Sequence, residues 1–461
     1  MKTLLSKLTT VLIALVAVLL LVYAAWNWSA SRSLRHTWDD MREEGLPVSI
    51  ADITPVRVPP GDNAAPFLNR AFAAMARSAP ETERYASAIM ALLSYQLPGN
   101  GYRDDAPVLT TLNREQKRLV ATQLAAPEAV ETFTLLDQAV RKPRCDFGLD
   151  YAGGAGVLLP HLSHLRNAVH LLALKAWIQA DAGDTGPALQ TLIKALRISN
   201  FLRREPILVS QLVRVAANGK ALNVLEDILA RHAPAAFPSA DLTALLAQLE
   251  AQTDPGRQAF VRALDGERVL FGNWAFSRLI VGKMKADELR SLGMRTELSL
   301  YSSLLARPWV KTDFRYYLLT MLEHRRRLLR PYPDVAALDP LSESVPDFYI
   351  LTRILLPALD RIHQHATTNR AHIELARLAL LLTDYAKQNN DRYPASLKAL
   401  QLPVDSSRDP FTATPLRYRI QDGGYILYSR GPDLDDDDGE APASRRELTR
   451  DGDLVWSVTS P

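Results

Sequence analysis

Residues 161–200, HLSHLRNAVHLLALKAWIQADAGDTGPALQTLIKALRISN, decide the fold class of this chain. Apolar residues recur every three to four positions on both sides of Gly183, which predicts one helix before this glycine and another after it. Gly183 is a typical C-cap, and Asp184 or Thr185 can cap the second helix. Because the connection is short, the two helices are expected to pack as an antiparallel hairpin. Small residues permit a close approach: Ala173, Ala176, Ala188 and Ala195.

The composition agrees with a mainly α-helical protein of ordinary polarity. The 461 residues are 47% apolar and 23% charged, with 21 glycines, which excludes a disordered chain and a multi-span transporter. A net charge of +3 gives no indication of a nucleic-acid partner. The single cysteine, Cys145, excludes a disulfide framework and a zinc site built from cysteines. Further helical patterns follow, so residues 41–345 are predicted to form a domain of helical hairpins.

The N-terminal region carries a long apolar segment. Residues 8–26 contain no charge and would form about 28 Å of helix, enough to cross the hydrocarbon core of a lipid bilayer. Lys2 and Lys7 precede the segment, and Trp26 and Trp28 stand where interfacial aromatic residues belong. We therefore predict a signal anchor over residues 1–40, which makes a single pass through a bacterial inner membrane and leaves residues 40–461 in the periplasm. A cleaved signal peptide and the opposite topology are the alternatives.

The pattern changes in residues 346–461, which are predicted to form a small α+β module. A long helix ends near Tyr385, with its apolar residues on one face. Two strand patterns, 416–420 and 425–429, flank Asp422-Gly423-Gly424, a strong hairpin signal, and residues 454–458 are a third strand pattern. A three-stranded antiparallel sheet is not stable alone, so we expect it to pack on the long helix.

An acidic loop follows the second predicted strand. Residues 433–453 contain nine Asp and Glu against three Arg. Clustered carboxylates repel one another, and a hard cation such as Ca²⁺ relieves that repulsion. The spacing Asp433-x-Asp435-x-Asp437 begins like an EF-hand loop, but the glycine and the final glutamate of that motif are absent. From composition alone, a calcium site and a solvated acidic loop both remain open.

Residues 371–458 resemble the globular domain of the major pseudopilin of type II secretion systems. The segments that carry the resemblance are Asn390-Asp391-Arg392-Tyr393-Pro394, Asp409-Pro410-Phe411, Tyr425-Ile426-Leu427-Tyr428-Ser429, Gly431-x-Asp433 and Asp453-Leu454-x-Trp456. The resemblance implies a pseudopilin-like α+β module, a secretion-related role and a structural calcium ion as cofactor. The ligands that it implies are the carboxylates of Asp433 and Asp453 and oxygen atoms of Leu427 and Ser429. Asp451 is a further candidate ligand that has no firm counterpart in the family.

The middle of the chain resembles other membrane-anchored bacterial proteins that carry the same C-terminal tail. The segments that carry this second resemblance are Arg204-Glu205-Pro206, Gln211-Leu212-Val213 and Gly266-Glu267-Arg268. This resemblance implies no activity, so no catalytic residue follows from it.

Two classes of function remain open for the helical domain. His161 and His164 share a helix face, without the Glu that would complete a zinc-protease pair. Glu267 and Arg268 are predicted to form a buried ion pair. The first class is a non-enzymatic envelope protein that binds another envelope protein through its body and its calcium-stabilised module. The second is an envelope hydrolase, and a pocket lined by His161, Glu267 and Arg268 would favour it.

Overall fold

The computed structural model describes residues 2–77, 114–253, 257–284, 301, 303–356, 359–440 and 452–458. In these ranges the protein is mainly α-helical with one small sheet near its C-terminal end, which confirms the predicted fold class. The first helices are α1 (Lys2–Glu43), α2 (Ile50–Ile53), α3 (Ala65–Arg77), α4 (Arg114–Leu124), α5 (Pro127–Val140), α6 (His161–Asp181) and α7 (Thr185–Asn200). They are followed by α8 (Leu208–Arg231), α9 (Ser239–Gln252), α10 (Gln258–Gly266), α11 (Trp274–Ile280), α12 (Arg307–Leu329), α13 (Pro333–Ala336), α14 (Ile350–Leu355) and α15 (Ile362–Gln388). A π-helical segment, Glu267–Asn273, joins α10 to α11.

Helices α6 and α7 form the predicted antiparallel hairpin. Gly183 has a φ of +90°, in a region that favours glycine, and ends the first helix. All four small residues named above are buried where the two helices meet: Ala173, Ala176, Ala188 and Ala195. Asp184, one of the two predicted caps, lies at the N-cap position of α7, but its side chain makes no capping hydrogen bond, and the hydroxyl of Thr185 donates to the carbonyl of Ala236 at 2.6 Å.

A hydrophobic core surrounds the hairpin and continues into the C-terminal part of the chain. Trp177 of α6 is fully buried, and its indole nitrogen donates to a carboxylate oxygen of Asp227 on α8 at 2.8 Å. A buried indole N–H needs such a partner. The same apolar cluster includes residues of α3, α5 to α9, α15, β2 and β3, and Tyr418 of β1 packs against it. The sheet is therefore covered by helices on its apolar face.

The sheet contains β1 (Arg417–Gln421), β2 (Gly424–Ser429) and β3 (Leu454–Val458), antiparallel and in that order. Asp422 and Gly423 both have positive φ, which is the type I′ geometry that the hairpin signal predicted. Strands β2 and β3 contact α15, and β3 also contacts α8. There the amide of Ser457 donates to Glu226 at 2.8 Å, so a side chain of α8 satisfies an edge-strand N–H.

Helix α1 runs without a break from the apolar segment into the body of the protein. Among the described residues it is the one helix long and apolar enough to cross a membrane, and its apolar window is wholly exposed. From Ala30 onward α1 packs on α12, with Thr37 and Met41 buried between the helices. The ammonium group of Lys311 also donates to Asn27 at 2.7 Å. The apolar segment is thus rigidly connected to the helical body.

Candidate functional sites

His161, the first residue of α6, is held by a carboxylate from a neighbouring segment. Its Nε2 lies 2.9 Å from Oε1 of Glu205, and the hydroxyl of Ser210 donates to the other carboxylate oxygen at 2.6 Å. Because a carboxylate only accepts, Nε2 carries the hydrogen. His161 is 4% exposed, and its Nδ1 atom has no hydrogen-bond partner in the described part of the chain. The imidazole is therefore oriented by the protein on one side and unsatisfied on the other.

The loop that carries Glu205 is itself fixed by buried hydrogen bonds. The side-chain amide of Gln211 donates to the backbone carbonyls of Leu202 at 2.8 Å and Glu205 at 2.9 Å. The guanidinium group of Arg214 donates to the side-chain oxygen of Gln211 at 2.8 Å. Gln211 and Arg214 are completely buried. The segments 204–206 and 211–213, which the sequence marked only by resemblance, thus belong to one polar network.

Gly266 and Glu267 complete this network from the other side. Gly266 lies so close to Pro206 that an added Cβ would stand 1.6 Å from its carbonyl oxygen. The carboxylate of Glu267 accepts from the amide of Leu208 at 3.0 Å. Burial raises the pKa of Glu267 to about 7, and the bond from Leu208 opposes that rise. Both residues hold the segment that positions Glu205.

The predicted ion pair between Glu267 and Arg268 was wrong. Arg268 instead donates to Asp265 at 3.0 Å and to the carbonyl of Pro47 at 2.7 Å. Successive side chains of a helix point in different directions, and these two residues lie in the π-helical segment between α10 and α11. Glu267 faces the 206–208 segment, whereas Arg268 faces the chain that follows α1.

A cavity of about 670 Å³ opens beside His161, between α3, residues 147–158 and the start of α6. His161 and His164, which were predicted to share a helix face, both line it, whereas Glu267 and Arg268 are not among its lining residues. The ring of Phe147 stacks on His161 with centroids 4.3 Å apart, and Phe72 stacks on His164 at 5.4 Å. The cavity therefore has aromatic walls and an oriented imidazole.

A second site lies in the acidic loop after β2. Carboxylate oxygens of Asp433, Asp435 and Asp437 come within 4.8 Å of one another. Asp453, at the start of β3, is 1% exposed and accepts from the amide of Gly439 at 2.7 Å through one oxygen. Its other oxygen, and both oxygens of Asp433, are buried without a hydrogen bond of good geometry to any described residue. Within the described part of the chain, these carboxylate oxygens therefore have no hydrogen-bond partner of good geometry.

The electrostatics of this cluster follow from the same geometry. Burial, followed by the charges of Asp435 and Asp437, raises the pKa of Asp433 to about 7, although the amide of Asp435 opposes the change. Burial also raises the pKa of Asp453 to about 7. The hydrogen bond from Gly439 lowers this pKa, whereas the charge of Asp437 raises it further. The segments around Gly431 and Gly452 approach closely because residue 431 is a glycine. Its φ is +75°, and an added Cβ would stand 2.5 Å from the carbonyl oxygen of Gly452.

The other residues that the resemblance implied have different surroundings. The hydroxyl of Ser429 donates to Asp409 at 2.7 Å, and Leu427 is buried in the middle strand. Asp451 lies outside the described residues. Asp435 and Asp437 were missed as partners of Asp433, although their alternate spacing was a usable signal. Glu205 was missed as the partner of His161, and its separation of 44 residues left no signal in the sequence.

A group of basic side chains lies where α1 meets α12. Lys311 donates to Asn27 at 2.7 Å and to Ser31 at 2.8 Å, so it lies about one helical turn beyond the apolar segment. Burial, followed by the charges of Arg307 and Arg35, lowers the pKa of Lys311. Three cations are therefore close together on the side of the body that faces the apolar segment.

Comparisons with protein-family models, with curated proteins and with solved structures found no match for this chain. We therefore infer a function from the geometry of the three sites.

Proposed function

We propose that this chain is a single-pass protein of a bacterial inner membrane, with residues 40–461 in the periplasm and a structural Ca²⁺ ion in its C-terminal module. Its role in this proposal is non-enzymatic: the helical body and the module bind another envelope protein. The single observation that supports the proposal most is the set of close carboxylates at Asp433, Asp435 and Asp437, in which both oxygens of Asp433 lack a hydrogen-bond partner among the described residues.

The donor set fits calcium on two physical grounds. Calcium binds oxygen ligands at about 2.3–2.6 Å, so two oxygens on one ion lie at most about 5 Å apart. The three carboxylates already meet this limit, with oxygens within 4.8 Å. Buried carboxylates that lack hydrogen bonds are also costly, and a divalent cation removes this cost. Asp433 and Asp453 would hold the ion together with Asp435 and Asp437, and the ion would offset part of the loop's excess of nine acidic over three basic residues.

The anchored topology has its own support. The apolar part of α1 is exposed along its length, and the helix continues into the packed contact with α12. Trp28 is 60% exposed at the end of the apolar segment, where an aromatic residue contacts lipid headgroups favourably. Arg35, Arg307 and Lys311 follow within reach of the same headgroup layer. Protease added to spheroplasts should remove a C-terminal tag, and a protected tag would contradict the periplasmic location.

The test of the calcium proposal is thermal unfolding of the full-length protein in detergent, in millimolar calcium and in chelator. Calcium at a hundredfold excess over its Kd should stabilise the folded protein by about 2.7 kcal/mol, seen as a rise in Tm. Asp453→Asn should abolish the rise. Asp438→Asn is the matched control, because Asp438 is exposed and lies outside the close set, and it should keep the rise. An equal Tm of the unmodified protein in both conditions would contradict the proposal.

A hydrolase is the second candidate, and the cavity beside His161 is the observation that favours it. A general base needs a hydrogen bond that orients it, and Glu205 makes such a bond to Nε2. However, the hydroxyl of Ser210 donates to Glu205 rather than to His161, so this serine is not arranged as a nucleophile that the histidine activates. Turnover of a p-nitrophenyl ester that His161→Gln abolishes would favour the hydrolase over a binding role.

A further inference from the structure

The start of α12 lies at the level where the apolar segment of α1 ends. The ammonium group of Lys311 donates to Asn27 at 2.7 Å and to Ser31 at 2.8 Å, and Asn27 is the first residue after the apolar segment. Helix α12 begins at Arg307, one turn before Lys311. Where a spanning helix leaves the hydrocarbon core, its next turn lies among the lipid headgroups. In a membrane that α1 crosses, the first turn of α12 is therefore at headgroup depth.

The two helices run in the same direction from this point into the body. Trp38 lies three turns beyond Asn27 on α1, and its ring packs edge-on against Phe314 of α12 with centroids 5.8 Å apart. Arg326, near the other end of α12, is about 28 Å along the helix from Arg307. The end of α12 that faces the bilayer is therefore the one that carries Arg307.

Three cations lie close together at this end. The charges of Arg307 and Arg35 lower the pKa of Lys311, after the larger effect of burial. Lys311 uses two of the three donors of its ammonium group in the bonds to α1. Arg35 is exposed, and Nε of Arg307 is buried without a hydrogen-bond partner in the described part of the chain. The group retains donors and charge for an anion.

The acidic residues nearest to these cations along the chain are engaged elsewhere. Asp39, one turn beyond Arg35, is paired with Arg42 at 2.8 Å. Asp313 is completely buried, its carboxylate accepts from the amide of Leu351 at 3.1 Å, and burial raises its pKa. Neither carboxylate is arranged to neutralise the three cations.

Exposed apolar side chains lie at the same end of α12. Leu305, two residues before Arg307, is 76% exposed, and Phe348 is 53% exposed. The indole nitrogen of Trp309 donates to the carbonyl of Phe348 at 2.8 Å, which fixes Phe348 beside the first turn of α12. The ring of Tyr349 packs against Phe348 with centroids 4.5 Å apart. Cations beside exposed aromatic and aliphatic side chains are typical of a surface that binds the interface of a bilayer.

We infer that the start of α12 and the segment around Phe348 form a second membrane contact, which selects anionic phospholipids from the bilayer that α1 crosses. A lipid phosphate contacts Arg307, Arg35 and Lys311, and Leu305 and Phe348 lie between the headgroups and the acyl chains. The inference rests on the proposed membrane anchor, and it adds that the helical body lies against the bilayer and prefers a negative headgroup.

Phospholipid binding to the full-length protein in a nonionic detergent tests the charge preference, with native mass spectrometry as the measurement. Phosphatidylglycerol should bind at least about tenfold more tightly than zwitterionic phosphatidylcholine with the same acyl chains, because each cation at a headgroup contributes a factor of about five. Equal affinity for the two lipids would overturn the inference. Displacement of phosphatidylglycerol by an equal concentration of inorganic phosphate would also overturn it, because the site would then be one for free phosphate.

Charge variants locate the preference on the protein. Arg307→Gln and Arg35→Gln should each reduce the preference for phosphatidylglycerol about fivefold. Arg35 is exposed, so its replacement leaves the packing of the body unchanged. Arg326→Gln is the matched control, because it removes the same charge from an exposed position at the far end of α12, and it should keep the full preference. A preference that survives both Arg307→Gln and Arg35→Gln would contradict the assigned contact.

A fluorophore at position 305 tests the apolar contact. Leu305→Cys in a Cys145→Ala background is labelled with nitrobenzoxadiazole and reconstituted in nanodiscs that contain phosphatidylglycerol. Its emission should shift to shorter wavelength and be quenched by spin-labelled lipid. Leu158→Cys in the same background is the control, because Leu158 is equally exposed but lies beside the α6 cavity, and its label should remain unquenched. An unquenched label at position 305 would overturn the contact.

A carbonate wash of bacterial membranes tests the anchor separately, because it releases peripheral proteins and retains proteins with a spanning helix. Retention of the protein together with equal affinity for both lipids would refute this inference and leave the anchor intact. Release of the protein would refute the anchor and the inference with it.

Discussion

The region around His161 and the region around Asp433 both bury carboxylates, but only the first supplies these carboxylates with hydrogen-bond donors. Glu205 receives hydrogen bonds from His161 and Ser210, and its loop is fixed by Gln211. The oxygens of Asp433 instead face other carboxylates. The first region is nearly complete without any added component, whereas the second requires protons or a cation. The first region is thus a hydrogen-bonded network, whereas the second keeps several carboxylate oxygens without partners among the described residues.

Helix α8 connects the two regions. Ser210 and Gln211 lie near its start and fix the loop of Glu205, whereas Glu226 lies near its end and holds Ser457 of β3. Strand β3 begins directly after Asp453. Changes in either region are therefore measured best in the full-length protein, where α8 is held at both ends.

The largest effect is expected from Gly266→Ala, which would break the His161 network. The new Cβ would meet the carbonyl oxygen of Pro206 at 1.6 Å, so the segment that carries Glu205 must move. We expect a loss of about 3 kcal/mol in the free energy of unfolding, measured by urea denaturation. Gly219→Ala in α8 is the control, because its Cβ meets nothing within 4 Å, and it should stabilise the helix by about 1 kcal/mol. Equal effects of both changes would contradict the close packing at Gly266.

The stability of the calcium-free protein is expected to depend on pH through the buried carboxylates Asp433 and Asp453. Without calcium, the folded protein holds protons on Asp433 and Asp453 up to about pH 7, whereas the unfolded chain has lost them above the ordinary value of 3.8. Stability should therefore fall as pH rises from about 4 to 7 and change little beyond. Protons and calcium compete for the same oxygens. The gain in Tm from calcium should be largest near pH 8 and much smaller below pH 6, and an equal gain at both pH values would contradict the site.

Asp436 and Asp438 should behave differently from each other, although they are neighbours in the acidic run. Asp436 pairs with Arg417 at 3.0 Å and with Arg430 at 3.1 Å, so in chelator Asp436→Asn should cost about 0.5–1 kcal/mol. Asp438→Asn removes a repelling charge and should leave the free energy of unfolding unchanged or slightly higher. Urea denaturation measures both. A larger loss from Asp438→Asn than from Asp436→Asn would contradict the assigned contacts.

The smallest effect is expected from Glu226→Gln, which tests the link between the two regions. Burial raises the pKa of Glu226 well above its usual range, which favours the neutral form of the side chain. Glutamine keeps an oxygen that can accept from Ser457, and the change in unfolding free energy should stay below about 0.5 kcal/mol. Glu226→Ala removes the acceptor and should cost about 2 kcal/mol. A large loss from Glu226→Gln would show that the carboxylate is charged.

Local signals predicted much of the fold. Gly183 marked the end of α6, and the turn at Asp422 and Gly423 marked the hairpin, because both depend on the φ angles of one or two residues. The position of the cap of α7 was predicted, since Asp184 is its N-cap residue, but the hydrogen bond from Thr185 to Ala236, 51 positions away, was not. The sequence showed the spacing Asp433-x-Asp435-x-Asp437, but whether these carboxylates come close together depends on how the loop turns.

The sequence by itself determined the helical class, the apolar segment of α1 and the acidic character of the loop after β2, because periodicity, length and charge are properties of consecutive residues. Only the tertiary structure decided that His161 forms a hydrogen bond with Glu205 and that Gly266 packs directly against Pro206. It also decided that Arg268 pairs with Asp265 rather than with Glu267. These contacts depend on how whole helices pack. A shift of one residue along a helix turns a side chain by about 100°, so its partner cannot be read from the local pattern.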